Sequence, residues 1–267
     1  MINSLTNPTN AYIIRAEGLS AGYTSKPVLR DLDLCLEAGS VTAIIGPNGS
    51  GKSTLIKCLA RQLPRVSGSV EIDGRSIDAY DSLAFARQVS YLAQVRHVPM
   101  ITVESLALRG RFPYLGFPRR YSREDREIAE AATRRAGVYE LAKEYMPEIS
   151  GGEAQKAFLS MILAQDAEIM LLDEPTTHLD IRHQHEVSRL LRELAREGKT
   201  IVVALHDLNC AIQISDNICA LDKGRVAFFG PPDKLLKSTV IRDTFGVEPV
   251  PVSVNGSAHL AFPILSP

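Results

Sequence analysis

The sequence predicts an α/β fold with a mostly parallel core sheet. Three short runs carry that prediction: Val41-Thr42-Ala43-Ile44-Ile45, Glu168-Ile169-Met170-Leu171-Leu172 and Ile201-Val202-Val203-Ala204-Leu205. Each is apolar almost throughout, as a strand covered on both faces must be. Helical stretches separate them, which puts helices on the two faces of a parallel sheet. A glycine-rich loop follows the first run and opens a helical segment.

The 267 residues suit one α/β domain with inserts, or two small ones. A hydrophobic content of 45% is enough for a sizeable core. Thirty Lys+Arg against 31 Asp+Glu give no electrostatic case for nucleic acid as the main partner. No apolar run approaches the roughly 18 residues of a membrane span. The polar N-terminus is not a signal peptide, so a cytosolic chain is expected, one that can still dock on a membrane protein. Cys35, Cys58, Cys210 and Cys219 form no C-x-x-C pair and sit among apolar neighbours. They read as reduced core residues.

Along the chain, residues 1–10 read as a loose tail, and Tyr12-Ile13-Ile14 begins a strand. Leu32, Leu34 and Leu36 alternate with Asp31, Asp33, Cys35 and Glu37. This period of two predicts a half-buried strand of an antiparallel β subdomain. Between about residues 96 and 165 helix formers replace β-branched runs, which predicts an inserted helical subdomain. Pro113 and Pro118 punctuate the way into it. Ser122 and Asp125 form a capping box for a helix carrying Ile128, Ala131 and Ala132, with Gly137 as its stop. Residues 218–221 and 225–229 flank Asp222-Lys223-Gly224, a hairpin signal. The last thirty or so residues, rich in Pro, Val and Ser, read as an accessory strand pair or a partly ordered tail. The expected division is a main domain over 1–240 and an accessory C-terminal extension over 241–267.

Three motifs carry chemistry. Gly46-Pro47-Asn48-Gly49-Ser50-Gly51-Lys52-Ser53, followed by Thr54, matches G-x-x-x-x-G-K-[ST]. Its glycines let backbone N–H groups point at phosphate oxygens, and the following helix adds its dipole. Lys52 suits the β- and γ-phosphates of ATP, and Ser53 suits Mg²⁺. The strand before and the helix after argue against a chance glycine turn. Second, Ile169-Met170-Leu171-Leu172 ends in Asp173-Glu174. At a strand tip Asp173 suits the metal and Glu174 a general base. Alone this is a strand running into an acidic turn; downstream of the phosphate loop it is more. Third, Ser150-Gly151-Gly152-Glu153-Ala154-Gln155 opens a helix whose Ala154, Ala157, Phe158, Met161 and Ile162 keep 3–4 spacing. Ser150 and Glu153 make a capping box, but a cap does not need two glycines. Bare N–H groups beside a hydroxyl offer a place for an anion.

In this order and spacing the motifs resemble the nucleotide-binding subunit of an ATP-binding-cassette (ABC) transporter, over roughly residues 12–229. The resemblance implies an ABC-type P-loop NTPase fold and an ATPase. It makes residues 150–155 the signature motif, which contacts the γ-phosphate of ATP on the other protomer. Ile149, Glu153 and Lys156 depart mildly from the commonest form. Tyr23, in Gly22-Tyr23-Thr24, resembles the aromatic that stacks on adenine. Gln94 resembles the glutamine that reaches Mg²⁺ and the attacking water. His178-Leu179-Asp180 resembles the D-loop that crosses the dimer interface. His206 resembles the switch histidine that contacts the γ-phosphate and orders Glu174, and a polar residue at a parallel strand's tip is where α/β sites lie. The implied Mg²⁺ set is Ser53, Gln94 and Asp173.

The resemblance further implies a homodimer holding two ATP molecules, a membrane permease partner and, indirectly, a substrate-binding protein. The expected place is the cytoplasmic face of a bacterial inner membrane. Within the family, residues 173–184 and Leu108-Arg109-Gly110-Arg111-Phe112-Pro113 resemble the iron-siderophore, haem and vitamin B12 importers, as does the C-terminal extension in kind. Import of a metal chelate, first an iron(III)-siderophore, is the expectation. A haem or vitamin B12 importer is the alternative, and a soluble ABC ATPase a remoter one. His178, His183 and His185 fall within eight residues. Helix positions 183 and 185 do not share a face, so a solvated surface is expected rather than a metal cluster. Arg119-Arg120 reads as a solvated pair.

Overall fold

The computed structural model describes residues 12–23, 26–94, 97–177, 179–254 and 257–263, without the side chains of 251–260. The expected N-terminal tail, Thr24 and His178 lie outside the described residues.

The chain opens with β1 (Tyr12–Ala21), β2 (Leu29–Glu37), β3 (Val41–Ile45), α1 (Lys52–Leu59), β4 (Arg65–Ile72) and β5 (Arg75–Ser76). It continues through α2 (Ser82–Gln88), β6 (Val89–Leu92), α3 (Val103–Arg109), α4 (Arg123–Arg135) and α5 (Gly151–Gln165). Then come β7 (Ile169–Asp173), α6 (Ile181–Arg196), β8 (Thr200–Ala204), α7 (Leu208–Ile214), β9 (Asn217–Asp222) and β10 (Arg225–Gly230). It closes with α8 (Pro232–Leu236), α9 (Val240–Phe245), β11 (Val250–Val254) and β12 (Ser257–Ala261).

The main sheet has the order β10-β9-β3-β8-β7-β6. All neighbours are parallel except the β9–β10 hairpin at the edge. Every residue of β3, β7 and β8 is buried, because the sheet is covered on both sides. The period of two sorts their side chains between two cores. Val41, Ala43, Ile45, Met170, Leu172, Ile201 and Val203 join a core with α5, α6 and α7. Ile44, Ile169, Leu171, Val202 and Ala204 join one with α1 and the second sheet. That second sheet, β2-β1-β4-β5, is antiparallel, and Leu32, Leu34 and Leu36 are its buried row.

In the helical stretch Ala107, Ala129, Ala132 and Ala164 pack α3, α4 and α5 together. Small side chains let these helices approach closely. The Ser122–Asp125 capping box starts α4, and Gly137, at φ 71°, follows its end. At the C-terminus the expected strand pair is present as β11–β12. Two short helices precede it, which composition did not anticipate. Pro232 at the first position of α8 supplies the helical φ there. Leu235 and Ile241 are buried in the larger core, so the boundary expected at 240/241 falls inside α9, on packed structure.

Candidate functional site

The loop between β3 and α1 is shaped by its glycines. Gly46 has φ 153°, and a Cβ there would lie 2.4 Å from the Leu221 carbonyl oxygen. Gly51 has φ 109°, and a Cβ would lie 2.7 Å from Leu29 Cδ2. Both are demanded by the surrounding chain. The β9–β10 turn braces the loop from behind: the Gly224 N–H donates to the Ser50 carbonyl at 3.0 Å, and the Gly224 carbonyl accepts the Arg30 N–H at 2.9 Å. Helix α1 starts with no side-chain cap and no acidic residue in its first turn, so its N–H groups face the loop's hollow. Lys52 is buried, and its Nζ donates to the carbonyls of Gly46 at 2.7 Å and Pro47 at 3.3 Å. Burial pushes the Lys52 ammonium below its usual pKa, and the nearby Glu174 and Asp173 oppose that shift. Ser50 Oγ is buried without a hydrogen-bond partner.

The Asp173 carboxylate ends β7 beside this loop. Ser53 Oγ donates to Asp173 Oδ1 at 2.9 Å, whereas Asp173 Oδ2 is buried and has no partner. Burial raises the Asp173 pKa against the Ser53 hydrogen bond, and Glu174 adds to the rise. An orphaned carboxylate oxygen next to a hydroxyl is a donor set that suits a hard cation such as Mg²⁺.

Glu174 follows at φ 53°, in the left-handed region. The turn aims its carboxylate at three groups. Gln94 Nε2 donates to Oε2 at 2.6 Å, Thr177 Oγ1 donates to the same oxygen at 3.1 Å, and His206 Nε2 meets Oε1. Tyr23, Asn48, Gly49, Gly51, Lys52, Ser53, Thr54, Gln94, Glu174 and His206 all line one open cavity of about 430 Å³. At its mouth Tyr23 is 58% exposed. Lys57 Nζ lies 3.2 Å from its hydroxyl and 5.5 Å from its ring centre.

Ser150, Gly151, Gly152 and Glu153 do not line that cavity. Ser150 caps α5 by accepting the Glu153 N–H at 3.3 Å, and its own hydroxyl and N–H donate to Glu153 Oε2 at 2.7 and 2.8 Å. These hydrogen bonds hold the Glu153 carboxyl below its usual range. Neither neighbouring glycine is demanded by the protomer. A Cβ at Gly151 would meet nothing within 4 Å, and one at Gly152 would make ordinary contacts with Leu179 and His183 at 3.5 and 3.6 Å. Gln155, expected among the contacts to the other protomer, is instead turned inward. It is 6% exposed, and its amide donates to the Pro175 carbonyl, because position 155 lies on the core side of α5. Asp180 caps α6 by accepting the His183 N–H at 2.8 Å.

The expected solvated surface holds for His185, which is exposed, but His183 leans on Gly152 and Asp180. Among the described residues no three His, Cys, Asp or Glu are grouped to hold a metal. Arg119 and Arg120 are exposed, Arg119 lying 4.7 Å above the Phe112 ring. Sequence reasoning missed Lys57 and Thr177. Helical spacing contained a hint for Lys57, four residues after Ser53, and turn spacing one for Thr177, three after Glu174.

A cradle of inward N–H groups around a buried ammonium suits a polyphosphate, and the carboxylates opposite suit its metal. Fold and site thus define a P-loop nucleotide-binding protein. Residues 29–177 match the ABC transporter family, and the chain belongs to it, among the ATP-binding subunits that hydrolyse ATP to drive transport. It is 41% identical to the ferric enterobactin transport ATP-binding protein of Escherichia coli (strain K12) over 236 residues, 88% of this chain and 87% of that protein. It is 39% identical to the achromobactin transport ATP-binding protein of Dickeya dadantii (strain 3937) over 237 residues, 88% of each. Among solved structures, an inward-facing ABC transporter of metal-chelate type superposes with a TM-score of 0.83 at 25% identity, covering 96% of this chain and 98% of that one. A dimeric ATP-binding cassette bound to ADP and Pi superposes with a TM-score of 0.74 at 26% identity, covering 82% and 99%.

Proposed function

We propose that this ATPase drives import of a metal chelate, an iron(III)-siderophore first. The observation that carries the reading is the pairing of a cavity lined by Lys52, Ser53, Gln94, Glu174 and His206 with relatives that are ATP-binding proteins of ferric enterobactin and achromobactin transport. A haem chelate is the second reading, favoured by 38% identity to a hemin import ATP-binding protein of Nocardia farcinica (strain IFM 10152) over 94% of this chain.

In this mechanism Tyr23 stacks on adenine. The loop N–H groups from Gly46 to Thr54 and the Lys52 ammonium neutralise the phosphates. Ser53, Asp173 and the Gln94 carbonyl would hold Mg²⁺, which would offset charge on the β- and γ-phosphates. Glu174 takes the proton from the attacking water, while His206 and Gln94 fix its carboxylate. The chain carries a second half-site at Ser150, Gly151, Gly152 and Glu153, so two copies sandwich two ATP molecules head to tail, with Asp180 crossing between them. Support comes from glycines that the protomer does not require and from dimeric cassettes of the same fold. Closure excludes water and completes the charge clamp. The helical stretch of about residues 96–165 passes the motion to a permease served by a substrate-binding protein. No helix among the described residues is long and apolar enough to cross a membrane, which suits a peripheral subunit on the cytoplasmic face of a bacterial inner membrane.

The test has two parts. Glu174→Gln should keep ATP binding yet slow hydrolysis about 10²–10⁴-fold, the usual worth of a general base; wild-type turnover would remove Glu174 from that role. In a strain lacking the gene, wild-type chain should restore uptake of radiolabelled ferric siderophore and the variant should not. Restored haem uptake alone would move the reading to the second cargo.

A further inference from the structure

We propose that His183 is a positioning residue of the second half-site. It ties Asp180 to the Gly152-Glu153 end of α5, so that both reach a second copy of the chain in fixed register. The proposal rests on reading residues 150–152 as half of a nucleotide site.

Helices α5 and α6 begin side by side, and His183 is the side chain between their first turns. Its Nδ1 lies 3.6 Å from where a Gly152 Cβ would stand, so the ring borders the bare glycine surface. The same nitrogen is 3.0 Å from Asp180 Oδ1. A carboxylate only accepts, so the ring's Nδ1–H is the donor in that contact. Asp180 Oδ1 also accepts the His183 backbone N–H at 2.8 Å, which closes a small ring of bonds at the start of α6. The His183 side chain is 30% exposed, too covered for the solvated position that periodicity assigns to it. About one turn further along each helix, Lys156 pairs with Glu186, which Arg182 holds at 3.1 Å. An ion pair thus joins the two helices on this face, and the imidazole fills the space beside Gly152. Of the His183, Lys156 and Glu186 side chains, the imidazole is the one that borders the glycine surface and meets Asp180.

A carboxylate crossing to a partner and a glycine surface receiving the partner's phosphate must arrive together. Removing the imidazole takes away one of the two contacts on Asp180 Oδ1, the backbone cap remaining, and leaves a gap beside Gly152. The cradle between β3 and α1 is not touched by either change.

The experiment uses the full chain carrying Glu174→Gln, in which slowed hydrolysis should keep ATP in place during the measurement. Sedimentation velocity reads the ATP concentration at half-maximal dimer. Adding His183→Ala should raise it about 5–10-fold, the worth of one net hydrogen bond. His183→Gln, whose amide still reaches Asp180 as a donor, should recover most of the loss. ADP affinity of the monomer, which reports on the cradle alone, should stay as it was. An unchanged midpoint, a Gln variant as impaired as Ala, or a parallel loss of ADP affinity overturns the proposal. Ser150→Arg serves as the control: it should abolish dimer formation. If that variant dimerises normally, the half-site reading itself fails, whatever His183 does.

Discussion

Glu174 shows how much one backbone angle can decide. At φ 53° its carboxylate turns back to meet Gln94, Thr177 and His206, three groups from three separate stretches of chain. Thr177 is the local member, three residues along the same turn. Thr177→Ala should lower kcat about 3–10-fold, one hydrogen bond's worth, with KM for ATP unchanged; steady-state kinetics would show it, and a shift confined to KM would contradict it. Lys52, Ser53, Asp173 and Glu174 were legible because the chemistry needs those residue types at a fixed spacing. Lys57 was not, because it meets Tyr23, a neighbour brought in from another stretch of chain. Gln155 was misread for a related reason: adjacency in the motif does not say which side of the helix a residue occupies.

Among the elements, the buried strands were legible from their apolar runs, and α4 from its cap. What the cap did not reveal is its second use. Arg111 Nε donates to Asp125 Oδ1 at 3.1 Å while Arg111 Nη1 donates to the Ala164 carbonyl at 3.0 Å, so one buried pair ties α4 to α5. Burial opposes ionisation of Asp125, but hydrogen bonds from Ser122 and the Arg111 guanidinium outweigh it and hold the carboxyl below its usual range. A depressed carboxyl pKa gives stability that is full above the unfolded value of about 3.9 and is lost as pH falls through the folded value. Asp125→Ala leaves Arg111 buried and unpaired, and should cost about 3–5 kcal/mol in urea unfolding at neutral pH. The gap to wild type should narrow as pH drops below about 4; a gap independent of pH would mean the carboxylate's charge is not what matters. The fourteen-residue separation of Arg111 and Asp125 hid this pair from periodicity.

Among the described residues two large cores lie on either side of the main sheet, with a small cluster of alanines among α3, α4 and α5 and the nucleotide loop at the strand tips. The parallel sheet and the antiparallel subdomain followed from apolar patterning. The packing of α8 and α9 did not, since short helices of mixed composition have no strong period to read. At this scale Gly151 and Gly152 stand apart from Gly46 and Gly51, which the fold itself demands. Alanine is the better helix former, so Gly152→Ala should leave the melting temperature of the monomer unchanged or raise it, by up to about 1 kcal/mol of stability. The same change should impair ATP-driven dimer formation in the Glu174→Gln background; calorimetry and sedimentation would separate the two effects. A library of this chain sorted only for folded, thermostable protein would therefore enrich replacements at residues 151 and 152 and discard function unnoticed. On the proposed half-site reading those two positions answer to the assembly, and no optimisation of the single chain can be trusted to keep them.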